Sequence, residues 1–184
     1  QLPALLEPPG RLLSQPSGLY DRSGTHLLLS LENPAASNSQ YLSLDESQPG
    51  HLPDALALAT LAALDPDFRS HRGFTWKGIG QSGPPTLAQR LVSDWLLWDE
   101  EPGLRRAMRE RLLAAQITAR FGREKILEWY LNSADFGRLA FGVDAAAWTY
   151  FDKSATTLNL AEAAILAVTA QTPALNPHDA PAAV

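Results

Sequence analysis

The chain has 184 residues, 45% of them hydrophobic, no cysteine, and a formal charge of −5 from 15 basic and 20 acidic side chains. That is enough chain and apolar surface for one domain with a substantial core. The acidic balance offers none of the basic face that nucleic acid requires, and the missing cysteines exclude disulfides and thiol chemistry while leaving the compartment open.

The first fifty residues carry Pro3, Pro8, Pro9, Pro16, Pro34 and Pro49, which interrupt any helix. Within them "GLYDRSGTHLLLSLE" sets the Ser23-Gly24 turn between two short β-like runs, so residues 1–51 are expected to form an extended arm with a β-hairpin. From residue 52 the apolar spacing becomes helical, and helices are predicted over 53–65, 85–98, 103–121, 123–132, 140–150 and 159–171, the body of a mainly α domain reaching residue 184. Asn159 with Glu162 three residues on reads as an N-cap and capping box, and Gly122 separates two helices where a sharp turn is needed. The last helix, "LAEAAILAVTA", is apolar nearly all round and is expected at the centre of the domain. No apolar run is long enough to span a bilayer and no signal-peptide pattern opens the chain. Beginning on Gln1, the sequence reads as an excised piece whose anchor, if any, would lie outside it.

Three stretches carry chemistry. "REKILEWYLNSADFGRLAFGVDAAAWTYF", from Arg123 to Phe151, resembles the fourth motif (KxxILExYLN) and following region of family 51 glycosyltransferases, the peptidoglycan glycosyltransferase domains of class A penicillin-binding proteins. "RAMRE", from Arg106 to Glu110, resembles the third motif, RKxxE, at the family's spacing. "DPDFRSHRG" resembles the first, EDxxFxxHxG, through Asp65, Phe68, His71 and Gly73. The tail resembles the family's buried helix and the proline-rich turn behind it, while the fifth motif would fall beyond Val184.

The resemblance implies a membrane-associated, extracytoplasmic, lysozyme-like helical domain of the kind that polymerises lipid II. There the glutamate opening the first motif is the general base, and cations of the second and third motifs, with a divalent metal such as magnesium or manganese, stabilise the departing lipid pyrophosphate. The base position is Leu64 in this chain, and an isobutyl group accepts no proton. Asp65 and Glu110 are the carboxylates left to a catalytic role, with Glu110 the one candidate metal ligand. Gln89, Arg90, Arg106 and Arg123 are the residues expected along the pyrophosphate path. Phe68, His71, Gly73, Glu128 and Asn132 are expected to support structure.

The second motif, GGSTITQQLxKN in the family, reads "GPPTLAQRLVSD" here, with Ser93 for its lysine and Pro84-Pro85 for its flexible turn. Ala107 replaces the third-motif lysine, and the segment between His71 and Gln89 is too short for the family's membrane-dipping jaw. Arg106 and Glu110, four apart on a helix, would by themselves form a solvated ion pair. Trp95 and Trp98 share a helical side, as core residues or as an interfacial anchor.

The expected function is therefore a pseudo-glycosyltransferase retained for binding lipid II or glycan strands, or for scaffolding among envelope proteins at a membrane surface. The alternatives are an active enzyme with Asp65 or Asp67 as substitute base, a lysozyme-like hydrolase, and a module without a glycan role.

Overall fold

A computed structural model of the chain describes residues 17–31, 33–48, 50–76 and 86–180. The Gly83-Pro84-Pro85 turn and the shortened segment around it lie outside the described residues, so the expectation of a compact surface there does too. The mainly helical architecture with a short N-terminal hairpin is as expected. Strands β1 (Ser17–Tyr20) and β2 (Leu27–Leu31) pair antiparallel, Leu19 opposite Leu29, with an irregularity after Leu19. Among the described residues six α-helices follow: α1 (Asp54–Leu64), α2 (Leu87–Leu96), α3 (Leu104–Phe121), α4 (Arg123–Ser133), α5 (Val143–Phe151) and α6 (Leu160–Gln171).

Several helix ends have a local cause. Thr86 caps α2 by accepting the Gln89 amide at 3.1 Å, and Asn159 and Glu162 close the expected capping box on α6. Gly122, at φ +84°, ends α3 and starts α4 in one residue. On α3 the residues Glu110, Arg111, Ala114 and Ile117 recur at helical spacing and turn inward. Helix α1 packs on α6, and α2 packs on α3 and α4. Between them Trp129 meets Phe121 edge-on at 4.9 Å and Trp95 at 6.4 Å, in a core that includes Leu56, Leu87, Ile117, Ile126, Leu131, Phe136 and Leu166.

Three expectations need correction. Helix α6 is not central on all sides. It buries Ala163, Leu166, Ala167 and Thr169 against its neighbours but leaves Leu160 and Val168 exposed, because α1 covers only one of its faces. The two tryptophans part company: Trp95 is half-buried on α2, whereas Trp98 lies past the end of that helix and is 76% exposed. The arm expected over residues 1–51 stands out only as far as the hairpin, whose leucines are exposed, since Leu42 within it is buried in the core.

Buried polar groups hold that stretch down. Asn132 pairs with the Leu42 backbone in both senses, accepting its N–H at 2.9 Å and donating to its carbonyl at 2.8 Å, like a neighbouring strand. Glu128 accepts from the Tyr41 hydroxyl (2.6 Å), the Ser43 hydroxyl (3.0 Å), the Leu44 amide (3.1 Å) and the Lys125 ammonium. Asp144 accepts the Gln40 amide at 2.8 Å. Among the described residues, no helix is long and apolar enough to cross a membrane.

Candidate functional site

The first-motif turn follows α1 directly, and its polar groups face inward. Leu64, in the last turn of α1, is 5% exposed and part of the hydrophobic core. Asp65, next to it, is 3% exposed and has both carboxylate oxygens engaged: one accepts from His71 Nε2 at 2.8 Å, the other from the Leu87 amide at the start of α2 at 3.0 Å. His71 Nδ1 accepts the Gly73 amide at 3.0 Å, which leaves the ring proton on Nε2, directed at Asp65. Gly73 is at φ +90°, and a Cβ there would stand 2.1 Å from the Thr118 hydroxyl oxygen, so no other residue fits without displacement. Phe68 is buried beneath the turn, and Asp67 is exposed on it.

The network continues without a break into the second and third motifs. The Thr86 hydroxyl donates to the Gly73 carbonyl at 2.8 Å. Both ends of the buried Gln89 side chain are engaged by protein: Oε1 accepts the Thr75 amide at 3.0 Å, and Nε2 donates to Glu110 at 2.6 Å. Glu110 and Arg106 do not pair with each other as a solvated couple. Each reaches across to α2, Glu110 to Gln89 and Arg106 to the Ser93 hydroxyl at 2.8 Å and the Leu97 carbonyl at 3.3 Å. Ser93, standing where a lysine was expected, thus accepts a cation instead of supplying one.

Arg123 lies elsewhere. It donates to the Phe68 carbonyl at 3.1 Å and the His71 carbonyl at 2.6 Å, so its charge fastens the first-motif turn to α4. Arg90 is half-buried on α2, and Asp94 follows one turn later. Although Asp94 reaches the surface, desolvation pushes its carboxyl above the usual carboxylate range, against the pull of Arg90 and Arg106 and with a further push from Glu110.

Two members escaped the sequence reading. Arg111 is buried beside Glu110 (3.9 Å), donates to the Thr75 and Ala107 carbonyls at 3.1 and 2.9 Å, and sits 5.9 Å from the Trp76 ring. Its place on the inward stripe of α3 was the signal. Asp94 was signalled by its i+4 spacing from Arg90.

The two contacts that Glu110 makes across the network both fall on its Oε1. Glu110 is met by the Gln89 amide and the Arg111 guanidinium, and the described residues contain no group of three His, Asp or Glu side chains able to share a metal ion.

Comparison with known proteins agrees with this arrangement of motifs. The family described as Transglycosylase matches residues 30–184. The chain is 37% identical over 153 residues to a biosynthetic peptidoglycan transglycosylase of Shewanella denitrificans, covering 77% of this chain and 64% of that protein. It is 34% identical over 148 residues to the protein of that name from Pectobacterium atrosepticum, covering 74% and 58%. With penicillin-binding protein 1A of Mycolicibacterium smegmatis it shares 35% identity over 140 residues, 68% of this chain and 17% of that one. The chain therefore spans about three fifths of the length of these biosynthetic relatives and under a fifth of the penicillin-binding protein. With the family match running through all four motif regions, the chain belongs to the transglycosylase family.

Proposed function

We propose that this chain is a transglycosylase domain of the cell envelope that has lost glycan polymerisation and is retained to bind lipid-linked or polymerised glycan at the membrane surface, or to hold other envelope proteins there. One observation carries the reading: the general-base position is an aliphatic side chain sealed in the core, Leu64 at 5% exposure, and its acidic neighbour has no oxygen to spare. To act as a base, Asp65 would have to release His71 or the Leu87 amide at the start of α2.

The cation losses point the same way. Ser93 and Ala107 replace two lysines, Arg106 is tied to Ser93, and Arg123 is tied to the backbone, so a developing pyrophosphate charge meets few free donors. The hydrolase alternative lacks the same carboxyl group. Incubating the protein with lipid II and a divalent metal, and reading glycan chains on a gel, tests the proposal: no polymer is expected, and polymer would refute it.

A further inference from the structure

Six of the large hydrophobic side chains exposed among the described residues crowd on the hairpin β1–β2. Leu19, Tyr20, Leu27, Leu28, Leu29 and Leu31 are between 43% and 68% exposed, and among the described residues the sheet has no third strand. The apolar groups fall on both faces. Leu19 stands opposite Leu29 on one, while on the other Leu27 and Tyr20 close over Gly18, where an added Cβ would come within 2.9 Å of each. The family match begins at residue 30, past β1 and the turn, so the hairpin stands apart from the matched helical body. A lone two-stranded hairpin is marginally stable in water, and further strands or a covering layer are what stabilise one.

The two edges of the hairpin differ. Strand β1 has four residues, contains Gly18 and follows Pro16 in the sequence, residue types that discourage pairing at an edge. Strand β2 has five residues, LLLSL, with no charge, proline or glycine to turn a partner away. Its pattern is also self-complementary. Run antiparallel to itself about Leu29, it sets Leu29 opposite Leu29, Leu28 opposite Ser30 and Leu27 opposite Leu31. This is the one register that pairs all five residues of β2 with the same five of a copy, as a two-fold contact requires. No like charges meet in it, although each chain carries a formal −5.

We infer that the outer edge of β2 pairs with β2 of a second copy of this chain, across a two-fold axis through Leu29. The product is a four-stranded sheet that ends on the two β1 edges, so assembly stops at the dimer. A strand-edge contact of this kind buries about 1,000 Å² or less, the small and reversible end of specific interfaces, and a Kd of about 10–100 μM is expected. The motif residues take no part, so the inference is separate from the loss of catalysis proposed above.

Sedimentation equilibrium of the whole chain is the test. Wild type should show a monomer–dimer equilibrium that goes no further, tightened by salt because screening relieves the repulsion between two acidic chains. Leu29→Lys and Leu29→Glu each put like charges opposite one another at the axis and should weaken dimerisation tenfold or more. An equimolar mixture of the two variants sets lysine against glutamate and should recover a dimer. Leu112→Lys, at an equally exposed leucine on α3, should leave the association unchanged. A second readout uses the absence of native cysteine: Leu29→Cys should form a disulfide-linked dimer on mild oxidation, since residues opposite one another in antiparallel strands have Cα atoms about 4.5–5.5 Å apart, whereas Leu112→Cys should not.

A wild type that stays monomeric at ten times the expected Kd, growth beyond the dimer, a dimer indifferent to Leu29→Lys, or a mixture no more associated than its two components would overturn the inference. Polymer from lipid II would refute the loss of catalysis and leave every one of these outcomes as it is.

Discussion

The Asp65 carboxylate is a structural acceptor, and replacing it measures that role. Asp65→Ala leaves the His71 Nε2 proton and the Leu87 amide without acceptors in a buried turn, a loss of about 2–4 kcal/mol in urea denaturation. A change within experimental error would mean that the two bonds contribute nothing. Leu64 tests the opposite operation, adding a carboxyl where none is accommodated. Leu64→Glu places an unpartnered group in the core and should cost about 2–4 kcal/mol at neutral pH. The sign of its pH dependence follows from burial, which raises that carboxyl's pKa. The penalty is full above the raised value and shrinks as the pH falls through it and the group becomes neutral. The same variant should remain inactive towards lipid II, because Ser93 and Ala107 are unchanged.

Between α4 and the segment at 40–44, Glu128 acts as a clamp whose strength depends on pH. Burial pushes its carboxyl up, but Lys125, Tyr41 and the Leu44 amide together outweigh that and hold it below the usual range. A group whose folded value is depressed contributes stability that is complete above its unfolded value and is lost as the pH falls through the folded one. Glu128→Gln should thus lose about 1–3 kcal/mol at neutral pH and converge on wild type in acid, with faster amide exchange at residues 42–44. In the α4–α5 connection, Arg138 and Leu139 hold φ +54° and +60° directly after Gly137 at +82°. Leu139 is exposed and in a conformation that costs a side-chain-bearing residue about 1–2 kcal/mol, so Leu139→Gly should be neutral or stabilising by up to about 1 kcal/mol in thermal denaturation. All six helices were legible in the apolar spacing, and the capping box in Asn159 and Glu162, because these are local signals. The long-range partners of Glu128, Asn132 and Asp144 were not, since they lie 84 to 104 residues away and are mostly backbone groups that no side-chain pattern advertises. The carbonyl acceptors of Arg123, on Phe68 and His71, were hidden for the same reason.

Across the whole molecule, the motifs of the family persist as a framework. His71, Gly73, Thr86, Gln89, Glu110 and Arg123 join α1, α2, α3 and α4 into one network, while on the proposed reading Leu64, Ser93 and Ala107 stand in place of a proton acceptor and two cations. Loss of a general base alone costs about 10²- to 10⁴-fold in rate, and loss of a charge stabiliser about 10²- to 10³-fold. Residues that act as a unit are not additive, so the product of these factors is an upper bound on the deficit. The direct measurement is polymer formation from lipid II with a divalent metal, run beside an active biosynthetic transglycosylase under the same conditions. The account predicts that the active enzyme makes glycan chains while this protein, Leu64→Glu, Asp65→Ala and Glu110→Ala make none. Glycan chains from the unmodified protein that disappear in Asp65→Ala or Glu110→Ala would contradict it.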